Sequence, residues 1–227
     1  MIKLKPLNKA EAARYMGVRG EAGPAVTDIL DKWEPIVRER LRPGSVYREA
    51  ALRPAEDGIW VDGMDVPLTG NDIRQHLDGC DRAVLLAATA SAEADKLIRQ
   101  ASVDGMAEAL AVDCLCSAAI EQICDRAEEE IFSRIEAPFR TWRFSPGYGD
   151  LPLDLQKPLL QALNAQRRIG LTVTDSLLLV PSKSVTAIIG ISERELHLKG
   201  SSGCDNCNMR DRCAFSARGG CGKSQTT

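Results

Sequence analysis

The chain has 227 residues, 44% of them hydrophobic and 27% charged, with a formal net charge of -3. That length allows one large domain or one domain with an appendage, and the apolar fraction supports a real core. The near-neutral balance implies neither the basic face of a nucleic-acid binder nor a long acidic tail, and no apolar run has the length that crosses a bilayer. The N-terminus "MIKLKPLNKAEAARYMG" lacks the continuous apolar core of a signal peptide, so a cytoplasmic address is expected. There the eight cysteines should stay reduced or bind metal, and only two histidines, His76 and His197, are at hand. A histidine-based triad is therefore not expected.

Asn8 with Glu11 three residues on resembles a capping box, flanked by Leu7 and closed by Gly17, and predicts a helix of about two turns. From Gly23 to Leu41, the residues Val26, Ile29, Leu30, Trp33, Ile36, Val37 and Leu41 recur at helical spacing, with Pro35 as a point of kinking. "SVYREAAL" then reads as extended, and "GIWVDGMDVPL" as a hairpin turning at Asp62-Gly63. Thr69 or Asn71 can cap a short helix ending near Gly79. "DRAVLLAATA" is a buried strand by its length and apolar run.

The stretch from Ser91 to Glu136 is helical, with a break at Asp104-Gly105. Its second part sets Leu110, Cys116, Ile120, Ile123, Ala127, Ile131 and Ile135 on one stripe. "LLQALNAQRRIG" reads as a helix closed by Gly170, and "SLLLVPSKSVTAIIGIS" as two strands joined through Pro181-Ser182-Lys183. Helices and strands mix without regular βα alternation, so the fold class is α+β. From Gly200 the composition turns polar and Cys-rich. The expected division is residues 1–199 as one domain and 200–227 as a tail.

Between these elements lies "RTWRFSPGYGD", which concentrates aromatic residues beside fixed positive charge in a chain that is only 4% aromatic. Pro146-Gly147 makes a turn, with Arg143 before it and Tyr148 within it, and Gly149 leaves the backbone open to close approach. A guanidinium can hold a carboxylate bidentately, and an aromatic face can hold a cation such as a sulfonium. A zwitterion carrying both groups, such as S-adenosylmethionine, suits the pair. A tight connection between helices, with Trp142 and Phe144 as core plugs, explains the same spacing.

Arg143, Pro146-Gly147-Tyr148, a helix, Ile169-Gly170-Leu171-Thr172, Ser176, Pro181 and Ser184-Val185 follow one another in an order that resembles the activation domain of cobalamin-dependent methionine synthase. "LNKAEAARYMGVRG" is similar to the start of free-standing members of that family. The resemblance implies a twisted, mainly antiparallel sheet with flanking helices and a shallow groove for S-adenosylmethionine. Arg143 would hold the ligand's carboxylate, the backbone around Ser145 and Gly147 would contact it, and Tyr148 would lie near the sulfonium or the corrin. Two departures stand out: Ile188 and Ile189 occupy positions where the family often has an aromatic residue, and its N-terminal acidic contact has no matching position.

The resemblance further implies an accessory subunit of a methyltransferase. It would support the reduction of cob(II)alamin by an electron donor that the sequence does not identify, followed by methylation from S-adenosylmethionine. The chain is too short for the remaining modules of such an enzyme and lacks the Asp-x-His-x-x-Gly signature of cobalamin ligation. The cobalamin is therefore expected on a partner. A metal-bearing adaptor without catalytic role, or a reactivase for another corrinoid methyltransferase, is the alternative.

In the tail, Cys204, Cys207, Cys213 and Cys221 have the spacing C-x2-C-x5-C-x7-C, which can wrap zinc or hold an iron–sulfur cluster. Metal binding is expected over a plain tail of reduced thiols; between zinc and a cluster, the need of cob(II)alamin for an electron tilts the balance slightly to a cluster. Cys80, Cys114, Cys116 and Cys124 read as small buried hydrophobes.

Overall fold

The structure, a computed structural model, describes residues 2–196. Cys204, Cys207, Cys213, Cys221 and His197 lie outside the described residues. The fold is α+β, with a five-stranded sheet in the order β2-β1-β3-β7-β4 and a separate two-stranded ribbon, β5-β6. The strands are β1 (Gly44–Ala55), β2 (Gly58–Val61), β3 (Arg82–Thr89), β4 (Phe139–Arg140), β5 (Thr172–Val173), β6 (Leu179–Val180) and β7 (Ser184–Ser192). The helices are α1 (Lys9–Tyr15), α2 (Pro24–Arg40), α3 (Asn71–His76), α4 (Ala92–Asp104), α5 (Met106–Phe132), α6 (Gln156–Ala162) and α7 (Ala165–Ile169).

The described residues form two compact units. The first comprises those up to Tyr47 together with Leu86–Ile135 and Leu163–Val185. The second comprises Arg48–Leu85, Glu136–Ala162 and those from Thr186 on.

The first unit is built on α5. Its buried residues include Cys114, Leu115, Ala118, Ala119, Ile123, Cys124 and Ile131, which occupy more than one face. A helix apolar around most of its circumference belongs in a core. The core cluster around it draws Leu30, Trp33 and Val37 from α2, Leu97 and Ala101 from α4, and Ala12 and Ala13 from α1. Small residues on α5 let the neighbouring helices approach closely. Leu110, expected on the buried stripe, is 45% exposed. α2 runs unbroken through Pro35. At α1 the cap is half of the expected box: the Glu11 N–H donates to Asn8 Oδ1 at 3.0 Å, while the Glu11 carboxylate accepts from Arg14 and Tyr15 instead. Cys114, Cys116 and Cys124 are buried, and burial pushes the thiols of Cys114 up to about 11 and of Cys116 up to about 12.

Three further local expectations change. The tight hairpin joins β1 to β2 through Glu56-Asp57, with Ala55 opposite Gly58, and not through Asp62-Gly63. The chain after Asp62-Gly63 does return, but only as a bridge between Ile59 and Leu68. The "LLQALNAQRRIG" helix is two helices, because Asn164 adopts a left-handed conformation (φ 51°) between α6 and α7. Finally, β6 and β7 do not pair with each other; β6 pairs with β5 in the ribbon, and Pro181-Ser182-Lys183 is a link between sheets. That link is anchored by polar contacts: Lys183 Nζ pairs with Asp113 Oδ1 at 2.9 Å, and the Ser182 N–H donates to Asp95.

Candidate functional site

The segment 139–151 belongs to the second unit, and its course is dictated by β7. Phe139 opposes Ser192 and Arg140 opposes Ile191 in antiparallel register. Thr141 continues the register: its N–H donates to Gly190 O at 3.0 Å, and Gly190 N–H donates to Thr141 Oγ1 at 2.8 Å. The next contact, however, joins Phe144 to Ile188 by bonds of 3.0 and 2.8 Å. Trp142 and Arg143 together therefore face Ile189 alone, which is a β-bulge. A bulge breaks the in–out alternation of a strand and re-aims the side chains after it. Here Thr141 and Phe144 are both buried although three positions apart, and the half-buried Arg143 is carried on the bulge itself.

Ser145 to Tyr148 form a β-turn in which the Tyr148 N–H donates to Ser145 O at 3.0 Å. Pro146 presets the second position, and Gly147 at φ 91° takes the third, the combination of a type II turn. A side chain at Gly147 would need that strained φ and would sit 3.0 Å from Leu153 Cδ1. Tyr148 is 59% exposed, its ring edge-on to Phe144 with centroids 6.1 Å apart. Ser145 is half-buried and Gly147 exposed. The structure thus gathers Arg143, Ser145, Gly147 and Tyr148 on one bulge-and-turn unit. Phe144 is the core plug that the sequence suggested, at 7% exposure.

Residues that sequence reasoning passed over complete the surroundings. His76, at the end of α3, is 4% exposed, with its ring 4.9 Å from Trp142 and 4.8 Å from Phe144. Its Nε2 shares a 2.7 Å hydrogen bond with Thr141 Oγ1. Burial lowers its pKa to about 4, so the ring is neutral at ordinary pH. At the other end of α3, Asp150 accepts from the N–H groups of Asn71 at 2.6 Å and Asp72 at 3.0 Å. The Asp72 carboxylate accepts in return from the Asp150 N–H at 3.1 Å. The cap expected from Thr69 or Asn71 thus comes from a distant residue; Gly70 is the N-cap position and has no side chain to offer.

Among the described residues, no group of three or more His, Cys, Asp and Glu side chains could hold a metal ion, and no helix is long and apolar enough to cross a membrane. The first unit holds a separate cleft of about 320 Å³ lined by Pro43, Tyr47, Glu130, Arg134 and Arg168, among others. None of the turn residues lines it.

Among curated proteins no sequence matches the chain. A crystal structure of the MetH reactivation domain bound to AdoHcy shares the fold, with a TM-score of 0.57 and 16% identity, covering 87% of this chain and 70% of that one. The profile of the family described as vitamin B12 dependent methionine synthase, activation domain, matches residues 79–197, a stretch that contains the bulge, the turn and β7. With more than half of its length matched, the chain belongs to the family of activation domains of vitamin B12-dependent methionine synthase.

Proposed function

We propose that this chain is an activation subunit that binds S-adenosylmethionine at the Arg143–Tyr148 turn and supports reductive remethylation of cob(II)alamin on a partner cobalamin-dependent methionine synthase in the cytoplasm. What carries the reading is one observation: the half-buried Arg143 on a bulge stands directly before a type II turn ending in an exposed glycine and an exposed phenol ring, inside the stretch matched by the family. The donor set suits a zwitterionic sulfonium. Arg143 offers a planar fork for the carboxylate, Tyr148 an aromatic face for the positive sulfur, and Gly147 a backbone without a side chain in the way. The related reactivation-domain structure holds AdoHcy, the demethylated form of such a ligand.

The corrinoid, carried by the partner, would supply the redox chemistry, with one electron from a separate donor and the methyl group from the bound ligand, leaving S-adenosylhomocysteine as the product. This chain's residues hold the methyl donor. Arg143 fixes one end of the ligand, and the rigid turn keeps the sulfonium beside Tyr148, so that the methyl group can face an incoming corrin. The buried ring of Phe144 behind the turn would keep water from one side of the ligand. Cys204, Cys207, Cys213 and Cys221 complete the proposal as ligands of an iron–sulfur cluster or zinc. Anaerobic purification with iron and zinc analysis decides between the two.

The test is calorimetric titration with S-adenosylmethionine. The wild type should bind. Arg143→Ala should lose the heat of binding while its thermal midpoint moves by no more than about 2 °C, as expected for a partly exposed site residue. Unchanged affinity in Arg143→Ala overturns the assigned site, and no heat in the wild type favours a non-catalytic adaptor.

A further inference from the structure

We infer that α3 is a brace for the bulge and turn, with His76, Thr141, Asp72 and Asp150 as the positioning residues that set the geometry of Arg143 and Tyr148. The inference builds on the ligand reading above for its effect on affinity, but not for the brace itself.

Past Phe144 the segment leaves the regular pairing with β7. The turn's own bonds, Tyr148 N–H to Ser145 O, Gly147 N–H to Leu151 O and Leu151 N–H to Tyr148 O, give it shape but not location. Beside the burial of Pro146 and Leu151, location comes from α3, which grips the segment on both sides of the site. Before the turn, His76 meets the Thr141 hydroxyl and lies against the rings of Trp142 and Phe144, the residues that flank Arg143 in sequence. After the turn, Asp150 and Asp72 exchange backbone-to-carboxylate bonds across the N-terminus of α3.

Three features argue that the grip is built rather than incidental. A six-residue helix has little stability of its own, and its first N–H groups need acceptors, so α3 and Asp150 depend on each other. Each carboxylate fills the space in which a Cβ would stand on the facing glycine: Asp72 at Gly149 and Asp150 at Gly70. Thr141 Oγ1 joins β7 to α3, accepting from the Gly190 N–H while bonded to His76 Nε2. The three N–H groups supplied by Asn71, Asp72 and Asp150 are charge-assisted donors to the two carboxylates.

The experiment pairs hydrogen exchange on the unliganded protein with titration of S-adenosylmethionine, using Asp150→Ala, Asp150→Asn, Thr141→Val and Thr141→Ser. Asp150→Ala and Thr141→Val should speed exchange of the Gly147, Tyr148 and Leu151 amides and weaken binding about tenfold or more. Thr141→Ser keeps the hydroxyl and should restore both readouts, which a general loss of packing would not do. Asp150→Asn keeps one acceptor oxygen and should fall between, and it decides the matter if Asp150→Ala does not fold. Wild-type exchange and affinity in both Asp150→Ala and Thr141→Val overturn the inference. Faster exchange in the variants of a wild type that binds no S-adenosylmethionine supports the brace and overturns the ligand reading instead.

Discussion

The helices of the first unit and the α3–turn assembly of the second hold together by different means. In the former, Leu97, Val112, Leu115 and Ile123 are fully buried in an apolar cluster supplied by α1, α2, α4 and α5. In the latter, the decisive contacts are directional: a hydroxyl to an imidazole, carboxylates to backbone N–H groups, a ring edge to a ring. Apolar packing spreads stability over many contacts and tolerates exchange of similar shapes. A hydrogen-bonded clasp concentrates it in a few atoms and fixes angles as well as distances, which is what a ligand-holding turn requires.

The contrast can be broken from either side. The largest effect should come from the apolar unit: Leu115→Ala leaves a cavity in a fully buried site and should cost about 2–5 kcal/mol, read from the denaturant midpoint. Next comes a pH effect peculiar to the clasp. The pKa of His76 falls to about 4 in the fold, from an unfolded value of about 6.5, and its ring neighbours Trp142 and Phe144 carry no charge, so burial is the cause. Between those values the unfolded chain binds the proton and the native one does not. Stability is therefore complete above about pH 6.5 and declines as the pH falls towards 4, by up to about 3 kcal/mol. Urea titrations at pH 7.5 and 5 should show the decline in the wild type and a flatter response in His76→Gln; equal slopes would remove His76 as its source. The smallest change sharpens the comparison on the helical side: Asn8→Ala removes the α1 cap and should cost about 1 kcal/mol without altering S-adenosylmethionine binding.

The same contrast explains what was legible in the sequence. The spacing of Leu30, Trp33 and Val37 along α2, the apolar run of β3 and the break at Gly105 are local patterns, and each stands where the pattern set it. The turn was legible too, because Pro146-Gly147 carries its geometry in two adjacent residues. The brace was not. His76 and Thr141 are 65 residues apart, Asp150 and Asn71 79 apart, and neither pair has a periodic signature. The β1–β2 hairpin failed for a smaller reason: Asp57-Gly58 and Asp62-Gly63 are equivalent dipeptides five residues apart, and only the register of β1 on β2, from Leu52–Val61 to Ala55–Gly58, distinguishes them. Neither did sequence alone show that Trp142 and Arg143 share one partner, since a bulge is a property of two strands.

That shared partner has a bearing on how this protein can change. Substituting a letter between Thr141 and Phe144 leaves the path of the chain intact, whereas adding or removing one would exchange inward for outward at every position up to the turn. The count of residues there is as much a part of the specification as their identity.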